Sequence, residues 1–317
     1  MAHVKILVNA ELDEAQRERI VAATAGDRVV FARDRAEALA EARDADVLFG
    51  RITPELFERA PMLRWVHTLG AGVDGTLFPE LVESDVALVS EKGTVGPHLA
   101  EQVFALLLAL TRGIARSIRE RTWENRLSIR AAAWELTDRT IGIVGLGGTG
   151  REVARRAAAF GMRVVAVDPE EVPRPPEVAA LWRMERFGEL LEQSDVVVVC
   201  APLTAETRGM FDQAAFQRMR RHALLVNVTR GPIVDEGALL RALGEGWIAG
   251  AGLDVTPREP LPADHPLWGM PNVVVTPHVA GASPYRLDRA VEVFVENLAR
   301  DRAGQPLTGL IDKRKGY

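Results

Sequence analysis

Three late segments of the chain set an arginine, a glutamate and a histidine beside runs of apolar residues. In Leu225-Val-Asn227-Val-Thr229-Arg230-Gly231-Pro232, Arg230 stands between an apolar strand and a Gly-Pro step. Its fixed fork of donors can there hold a carboxylate and polarise a carbonyl. In Gly252-Leu-Asp254-Val-Thr-Pro-Arg-Glu259-Pro260, Asp254 closes a strand and Glu259 sits on a loop restricted by its flanking prolines. In Val274-Val275-Thr276-Pro277-His278-Val279-Ala280-Gly281, His278 follows an apolar strand directly, and the small residues after it let another group come close. Taken singly, a carboxylate or histidine at a strand end is often structural. Together the three supply what reduction of a ketone by hydride requires: a proton donor near neutral pH, an anchor for an anion, and a charge that tunes the donor.

The hydride donor has a cradle further upstream. Thr140-Ile-Gly-Ile-Val-Gly145-Leu-Gly147-Gly148-Thr149-Gly150 is an apolar strand running into G-x-G-x-x-G and then an alanine-rich helix. Gly145 permits the tight turn, Gly147 lets the backbone approach a pyrophosphate, and Gly150 lets the helix pack close to the sheet. The helix N-terminus then offers N–H groups and partial positive charge to phosphates. The next strand, Arg163-Val-Val-Ala-Val-Asp168, ends in a carboxylate at the separation expected for a ribose contact. Asp168 would accept from ribose hydroxyls and repel a 2′-phosphate, so NAD is expected rather than NADP.

Stepping outward, short β-branched runs alternate with helical patterns throughout, which predicts an α/β protein with parallel sheets. The first third gives strands at Lys5–Asn9, Arg28–Phe31, Asp46–Phe49, Arg64–Thr68 and Val86–Val89, with helices at Asp13–Ala23 and Arg35–Ala42. The Met1-Ala2-His3-Val4-Lys5-Ile6 start enters the first of these at once. A second series gives six strands at Ile141–Gly145, Arg163–Val167, Asp195–Cys200, Ala223–Val228, Ala249–Val255 and Asn272–Thr276, enough for a doubly wound dinucleotide fold. His98–Arg112 reads as a long buried helix between the two series, and the helix Arg286–Ala303 invites a return to the first.

A chain of 317 residues exceeds one ordinary core, so two domains are expected. With 47% hydrophobic and 26% charged residues and a net charge of -5, it has the composition of a folded soluble protein. No basic run interleaved with aromatics suggests nucleic acid, and Lys313-Arg314-Lys315 reads as a short solvated tail. No leader pattern or membrane-length apolar run is present, and a lone Cys200 excludes a disulfide framework, so a cytoplasmic protein is expected. His3, His67, His98, His222 and His265 form no metal-spaced pair and read as structural, so no metal is expected. Cys200, ending an apolar strand, reads as packing. Trp123 and Trp134 read as core or interface anchors, and Arg51 as a loop arginine with a secondary claim to face substrate.

With these residues in place, the chain resembles the D-isomer-specific 2-hydroxyacid dehydrogenase family over nearly its whole length. The matching stretches are Leu69-Gly70-Ala71-Gly72-Val73-Asp74, Leu99-Ala100-Glu101, Gly145 to Gly150 with Asp168, Cys200-Ala201-Pro202-Leu203 with Thr207, Asn227 to Gly231, Leu253-Asp254-Val255 with Glu259-Pro260, and Thr276-Pro277-His278. The resemblance implies that His278 is the acid/base, Glu259 its partner and Arg230 the substrate clamp. It implies that main-chain groups of Ala71, Gly72 and Val73 hold the substrate carboxylate and that Asp254 faces the nicotinamide carboxamide. Gly145, Gly147, Gly148, Thr149, Gly150, Asp168, Ala201, Pro202, Thr207, Val228, Thr229, His278 and Gly281 would line NAD.

The fold so implied is two doubly wound parallel-sheet domains. A Rossmann NAD-binding domain (98–286) is inserted in a smaller, flavodoxin-like substrate domain (1–97 and 287–317), with substrate held in the cleft. The substrate would be a small 2-keto acid reduced to the D-2-hydroxy acid, in the manner of glyoxylate/hydroxypyruvate reductases or with a broader range. Residues 98–139 resemble the arm that wraps a partner subunit, which predicts a homodimer in which Arg130 or Trp134 can reach the neighbour's cleft. The stretch before the cofactor strand, Arg126 to Leu136, departs from the pattern by lacking a glycine often found there. Two other readings share the fold: a dinucleotide-sensing binding protein similar to the C-terminal-binding corepressors, and a formate dehydrogenase, which would pair the histidine with glutamine where Glu259 stands.

Overall fold

The computed structural model describes residues 3–24 and 26–317. Met1 and Ala2, at the head of the stretch read as entering the first strand, lie outside the described residues. The chain divides into two compact units, Met1–Val95 with Ser283–Tyr317, and Gly96–Ala282.

The first unit is built on β1 (Lys5–Asn9), β2 (Arg28–Phe31), β3 (Val47–Gly50), β4 (Trp65–His67) and β5 (Ala87–Val89). These form one parallel sheet in the order β2-β1-β3-β4-β5, the flavodoxin-like winding. Alternate side chains leave opposite faces of a strand, so each face needs its own cover. Ile6, Val8, Phe49 and Trp65 pack on one side against Ala290, Val291, Phe294 and Leu298 of the C-terminal helix Arg286–Arg302. Leu7, Leu48, Val66 and Leu88 pack on the other against Ala38, Leu56 and Leu81. The helix Glu14–Ala23 starts at a reciprocal cap, with Gln16 N–H donating to Asp13 (2.8 Å) and Asp13 N–H to the Gln16 side chain (3.1 Å).

The second unit carries β6 (Thr140–Val144), β7 (Arg163–Val167), β8 (Val178–Trp182), β9 (Val196–Val199), β10 (Leu224–Asn227), β11 (Gly250–Leu253) and β12 (Val273–Val275). They pair in parallel in the order β12-β11-β10-β9-β6-β7-β8. The sheet therefore has seven strands where the sequence predicts six, the addition being β8. Val178-Ala-Ala-Leu-Trp182 has a single β-branched residue and takes its extended shape from β7, on which it forms the edge with a register shift at Val164/Val165. Winding reverses between β6 and β9, whose carboxyl ends make the crevice where open α/β sheets bind ligands.

The helix Gly96–Thr111 buries Ala100, Val103, Leu106 and Leu107 in the core of this unit. The two helices that follow, Ile114–Glu120 and Arg126–Ala132, bury no residue. Trp123 between them is 86% exposed, so its reading as a core anchor is corrected. Trp134 packs partly on the core, under the guanidinium of Arg139. Among the described residues no single helix is long and apolar enough to cross a membrane.

Candidate active site

The G-x-G-x-x-G turn lies at the switch point. Gly145 adopts a φ of +94°, and a Cβ there would sit 2.8 Å from the main-chain nitrogen of Ala201, at the end of β9. A Cβ on Gly150 would lie 2.1 Å from the carbonyl of Gly145, so the helix Gly148–Ala159 abuts the turn through bare backbone. A Cβ on Gly147 would meet nothing within 4 Å, which leaves room outside the turn for a phosphate group. Among the described residues the N–H groups of Gly147, Gly148 and Thr149 make no hydrogen bond within the protein, and they open the helix. This is the donor set a pyrophosphate needs.

Asp168 is buried, with Oδ2 accepting from Leu146 N–H (2.7 Å) and Oδ1 from Glu170 N–H (2.9 Å). It thereby ties the end of β7 to the glycine turn, and each oxygen keeps a lone pair for a further donor. Ala201 and Val228 are buried at the ends of β9 and β10, and a Cβ on Gly281 would meet nothing within 4 Å. The Thr207 hydroxyl donates to Pro202 O (2.7 Å) and accepts from Thr204 N–H (2.8 Å), so it closes its own turn. Burial pushes the Cys200 thiol up to about 12, which makes it a poor nucleophile.

At the end of β10 the fully buried Asn227 organises the loop that carries Arg230. Its amide donates to Arg230 O (3.0 Å), and its oxygen accepts from Thr229 N–H (3.1 Å) and the Thr229 hydroxyl (3.3 Å). Arg230 NH1 donates to Thr229 O (2.8 Å). The next residue, Gly231, has no space for a Cβ, which would fall 2.0 Å from the Thr256 carbonyl. The Arg230 loop is thus seated on the Glu259 loop. There Glu259 Oε1 accepts from Thr256 N–H (3.0 Å), while the Thr256 hydroxyl donates to Arg258 O (2.8 Å).

The other oxygen of Glu259 lies 2.7 Å from His278 Nδ1, across 19 residues of sequence. The carboxylate assigns the proton to Nδ1, and Nε2 makes no hydrogen bond among the described residues. The ring is about half exposed. His278 has a φ of +53°, with its N–H donating to Asp254 O (2.8 Å) and Thr276 O (3.0 Å). The buried Asp254 carboxylate holds the same turn. Its Oδ1 accepts from the Thr276 hydroxyl (2.5 Å) and Val279 N–H (3.0 Å), and its Oδ2 from Ala280 N–H (2.8 Å). Gln102 donates to Thr276 Oγ1 (2.9 Å) from the helix Gly96–Thr111.

Glu259 and His278 are therefore brought into direct contact, and Arg230 is placed on the adjoining loop. Asn227, Thr256, Thr276 and Gln102, which the sequence reading gives no role, are the residues that position them. Asn227 carried a usable signal, an amide closing the apolar strand Leu224-Leu-Val-Asn227.

Ala71, Gly72 and Val73 lie in the first unit, after β4. Among the described residues their N–H groups make no hydrogen bond within the protein, while Gly70 O accepts from Glu91 N–H (3.2 Å). Consecutive N–H groups without a partner are donors that a carboxylate can use. The exposed Arg51 offers its carbonyl to the Asn9 amide (2.7 Å). His67, at the end of β4, is fully buried against Phe49 and Phe294, and burial pulls its imidazole down to about 4. Of the other histidines, His222 pairs with the buried Asp195 (2.6 Å) and His265 with Glu236 (3.3 Å).

Residues 104–280 match the family model of the D-isomer specific 2-hydroxyacid dehydrogenase NAD binding domain. The glyoxylate reductase of Korarchaeum cryptofilum is 38% identical over 282 residues, which cover 86% of this chain and 84% of that protein. A D-isomer specific 2-hydroxyacid dehydrogenase family protein from Aeromonas salmonicida superposes with a TM-score of 0.81 at 31% identity, covering 98% of this chain and 100% of that one. The NADPH-dependent glyoxylate/hydroxypyruvate reductase of Sinorhizobium meliloti, solved with NADP and sulfate, gives 0.82 at 29% identity, covering 99% and 100%. The chain belongs to the D-isomer-specific 2-hydroxyacid dehydrogenase family, oxidoreductases that move a hydride between a nicotinamide cofactor and a 2-keto acid/2-hydroxy acid pair.

Proposed function

We propose that the protein reduces glyoxylate, hydroxypyruvate or a similarly small 2-keto acid to the D-2-hydroxy acid with NADH, His278 acting as the proton donor. The observation that carries this reading is the 2.7 Å contact between Glu259 and His278 Nδ1, which leaves Nε2 to face the substrate. The bound nicotinamide supplies the hydride. In reduction, His278 gives its Nε2 proton to the carbonyl oxygen as that oxygen gains charge, and the Glu259 carboxylate holds the ring through Nδ1. Arg230 is a proposed contact for the substrate's carboxylate and ketone, and the main-chain N–H groups of Ala71, Gly72 and Val73 are proposed donors to the substrate carboxylate.

NAD is proposed over NADP because Asp168 directly follows β7 and Glu170 stands two residues on, and both would oppose a 2′-phosphate. Gly145, Gly147, Gly148, Thr149, Gly150, Ala201, Pro202, Val228, Thr229 and Gly281 are proposed to line the cofactor, with Thr207 shaping its wall. Asp254, while holding the His278 turn, is proposed to border the nicotinamide. We also propose a homodimer, supported by the apolar side chains of Ile114, Ile118, Trp123 and Leu127 left exposed on and between the two short helices after Thr111. Static light scattering at micromolar concentration tests it, and a monomer would oppose it. A lone, partly buried cysteine suits a cytoplasmic setting.

The test of function is a spectrophotometric assay of NADH and NADPH oxidation with glyoxylate, hydroxypyruvate, pyruvate, phenylpyruvate and branched 2-keto acids. The account expects glyoxylate or hydroxypyruvate to lead and NADH to be preferred. Tight NADH binding with no turnover of any keto acid would instead favour a dinucleotide-sensing protein.

A further inference from the structure

Glu91 stands in the loop after β5 with its side chain fully shielded from solvent, an unusual setting for a carboxylate. Arg286, the first residue of the C-terminal helix and 195 residues away, meets it with both faces of its fork. Nε lies 3.2 and 3.0 Å from the two carboxylate oxygens and NH2 2.7 Å from Oε2. This pair is continuous with the loop of three unsatisfied N–H groups. Glu91 N–H donates to Gly70 O, the Ser90 hydroxyl lies 3.5 Å from Ala71 O, and Ser90 N–H donates to Gly309 O (3.2 Å). The carbonyls of Gly70 and Ala71 are thus held from one side, while the N–H groups of Ala71, Gly72 and Val73 are left for a ligand.

We propose that the Glu91–Arg286 ion pair is the positioning device for the substrate-carboxylate loop Gly70–Val73, so that both residues govern keto-acid affinity without touching substrate. The proposal rests on the reading above that this loop receives the substrate carboxylate. A buried negative charge beside an anion-receiving loop works against binding unless it is neutralised on the spot. Arg286 neutralises Glu91 and fixes its direction at once, which an ammonium on a flexible stem would do less well. Removing Arg286 leaves a bare carboxylate behind the loop, and removing both charges leaves none.

The test compares wild type, Arg286→Met, Glu91→Gln/Arg286→Met and Arg286→Lys, each with glyoxylate and with its uncharged methyl ester as substrates for NADH oxidation. Arg286→Met is expected to raise the KM for glyoxylate about tenfold, with KM for the ester, KM for NADH and kcat changed less than about twofold. The double variant should recover most of the lost glyoxylate affinity, and Arg286→Lys should fall between wild type and Arg286→Met. If Arg286→Met does not fold, the double variant and Arg286→Lys carry the test through the same acid-to-ester comparison. Arg286→Lys variants with wild-type KM for glyoxylate, or a double variant no better than Arg286→Met, would overturn the proposal and leave the site reading intact. A wild-type enzyme with equal KM for acid and ester would overturn the carboxylate reading itself, and this proposal with it.

Discussion

The main-chain N–H of His278 donates to the carbonyl of Asp254 at 2.8 Å and holds the histidine at a φ of +53°, in the left-handed region that side-chain-bearing residues rarely enter. The Asp254 carboxylate, fed by the Thr276 hydroxyl and by the N–H groups of Val279 and Ala280, keeps the turn in that shape. Asp254→Asn would set an NH2 group against at least one of these donors. The turn should then shift enough to misplace the imidazole, with kcat falling about 10²-fold. Stopped-flow and steady-state rates of keto-acid reduction measure the loss, and a kcat near wild type would show that other contacts hold the turn.

Two of the fingerprint glycines should respond differently to alanine. At Gly150 the added methyl collides with the fixed carbonyl of Gly145, so the variant should melt several degrees lower. At Gly147, whose φ of -73° suits any residue, the methyl enters open space, so the melting temperature should stay at the wild-type value. NADH affinity should nevertheless drop, because that space is where the phosphates are proposed to lie. Differential scanning fluorimetry with and without NADH separates the two effects, and equal NADH affinity in Gly147→Ala and wild type would move the phosphates elsewhere.

How much of this was legible in the sequence varies with the physical cause. β1, β2 and β7 have the bounds the β-branched runs predict, because their own residues favour a pleated, buried surface. Asp46 and Asp195 were read as first strand residues but stand just outside β3 and β9. Their carboxylates accept the N–H of Lys5 (2.8 Å) and of Thr140 (2.7 Å) instead. β8 was missed because its extended form comes from its neighbour. The residues of the acid/base pair were visible as types at strand ends, whereas their contact was not, since a separation of 19 positions can be spanned in many ways. Glu91 and Arg286 carried no signal at all, because only the return of the chain to the first sheet makes them neighbours.

His67 gives the first unit a dependence on pH. Its folded-state value near 4 lies below the ordinary 6.5, because burial disfavours the charged ring. Between those values the unfolded chain takes up a proton that the folded chain refuses, so stability is full above about pH 6.5 and declines as the pH falls toward 4. The decline amounts to roughly 3 kcal/mol at most. His67→Leu should therefore lose less stability than wild type between pH 7 and pH 4.5 in urea titrations. Parallel losses in the two proteins would mean that His67 gains a proton-accepting partner in solution.

The central claim is that Glu259 orients His278 as the proton donor, and Glu259→Gln tests it most directly. The two carboxylate oxygens meet Thr256 N–H and His278 Nδ1, whereas an amide has a single acceptor oxygen and cannot serve both. Stopped-flow and steady-state rates of keto-acid reduction should show kcat falling about 10²-fold in Glu259→Gln, with NADH affinity retained. A kcat within about twofold of wild type would contradict the account and place the proton donor elsewhere.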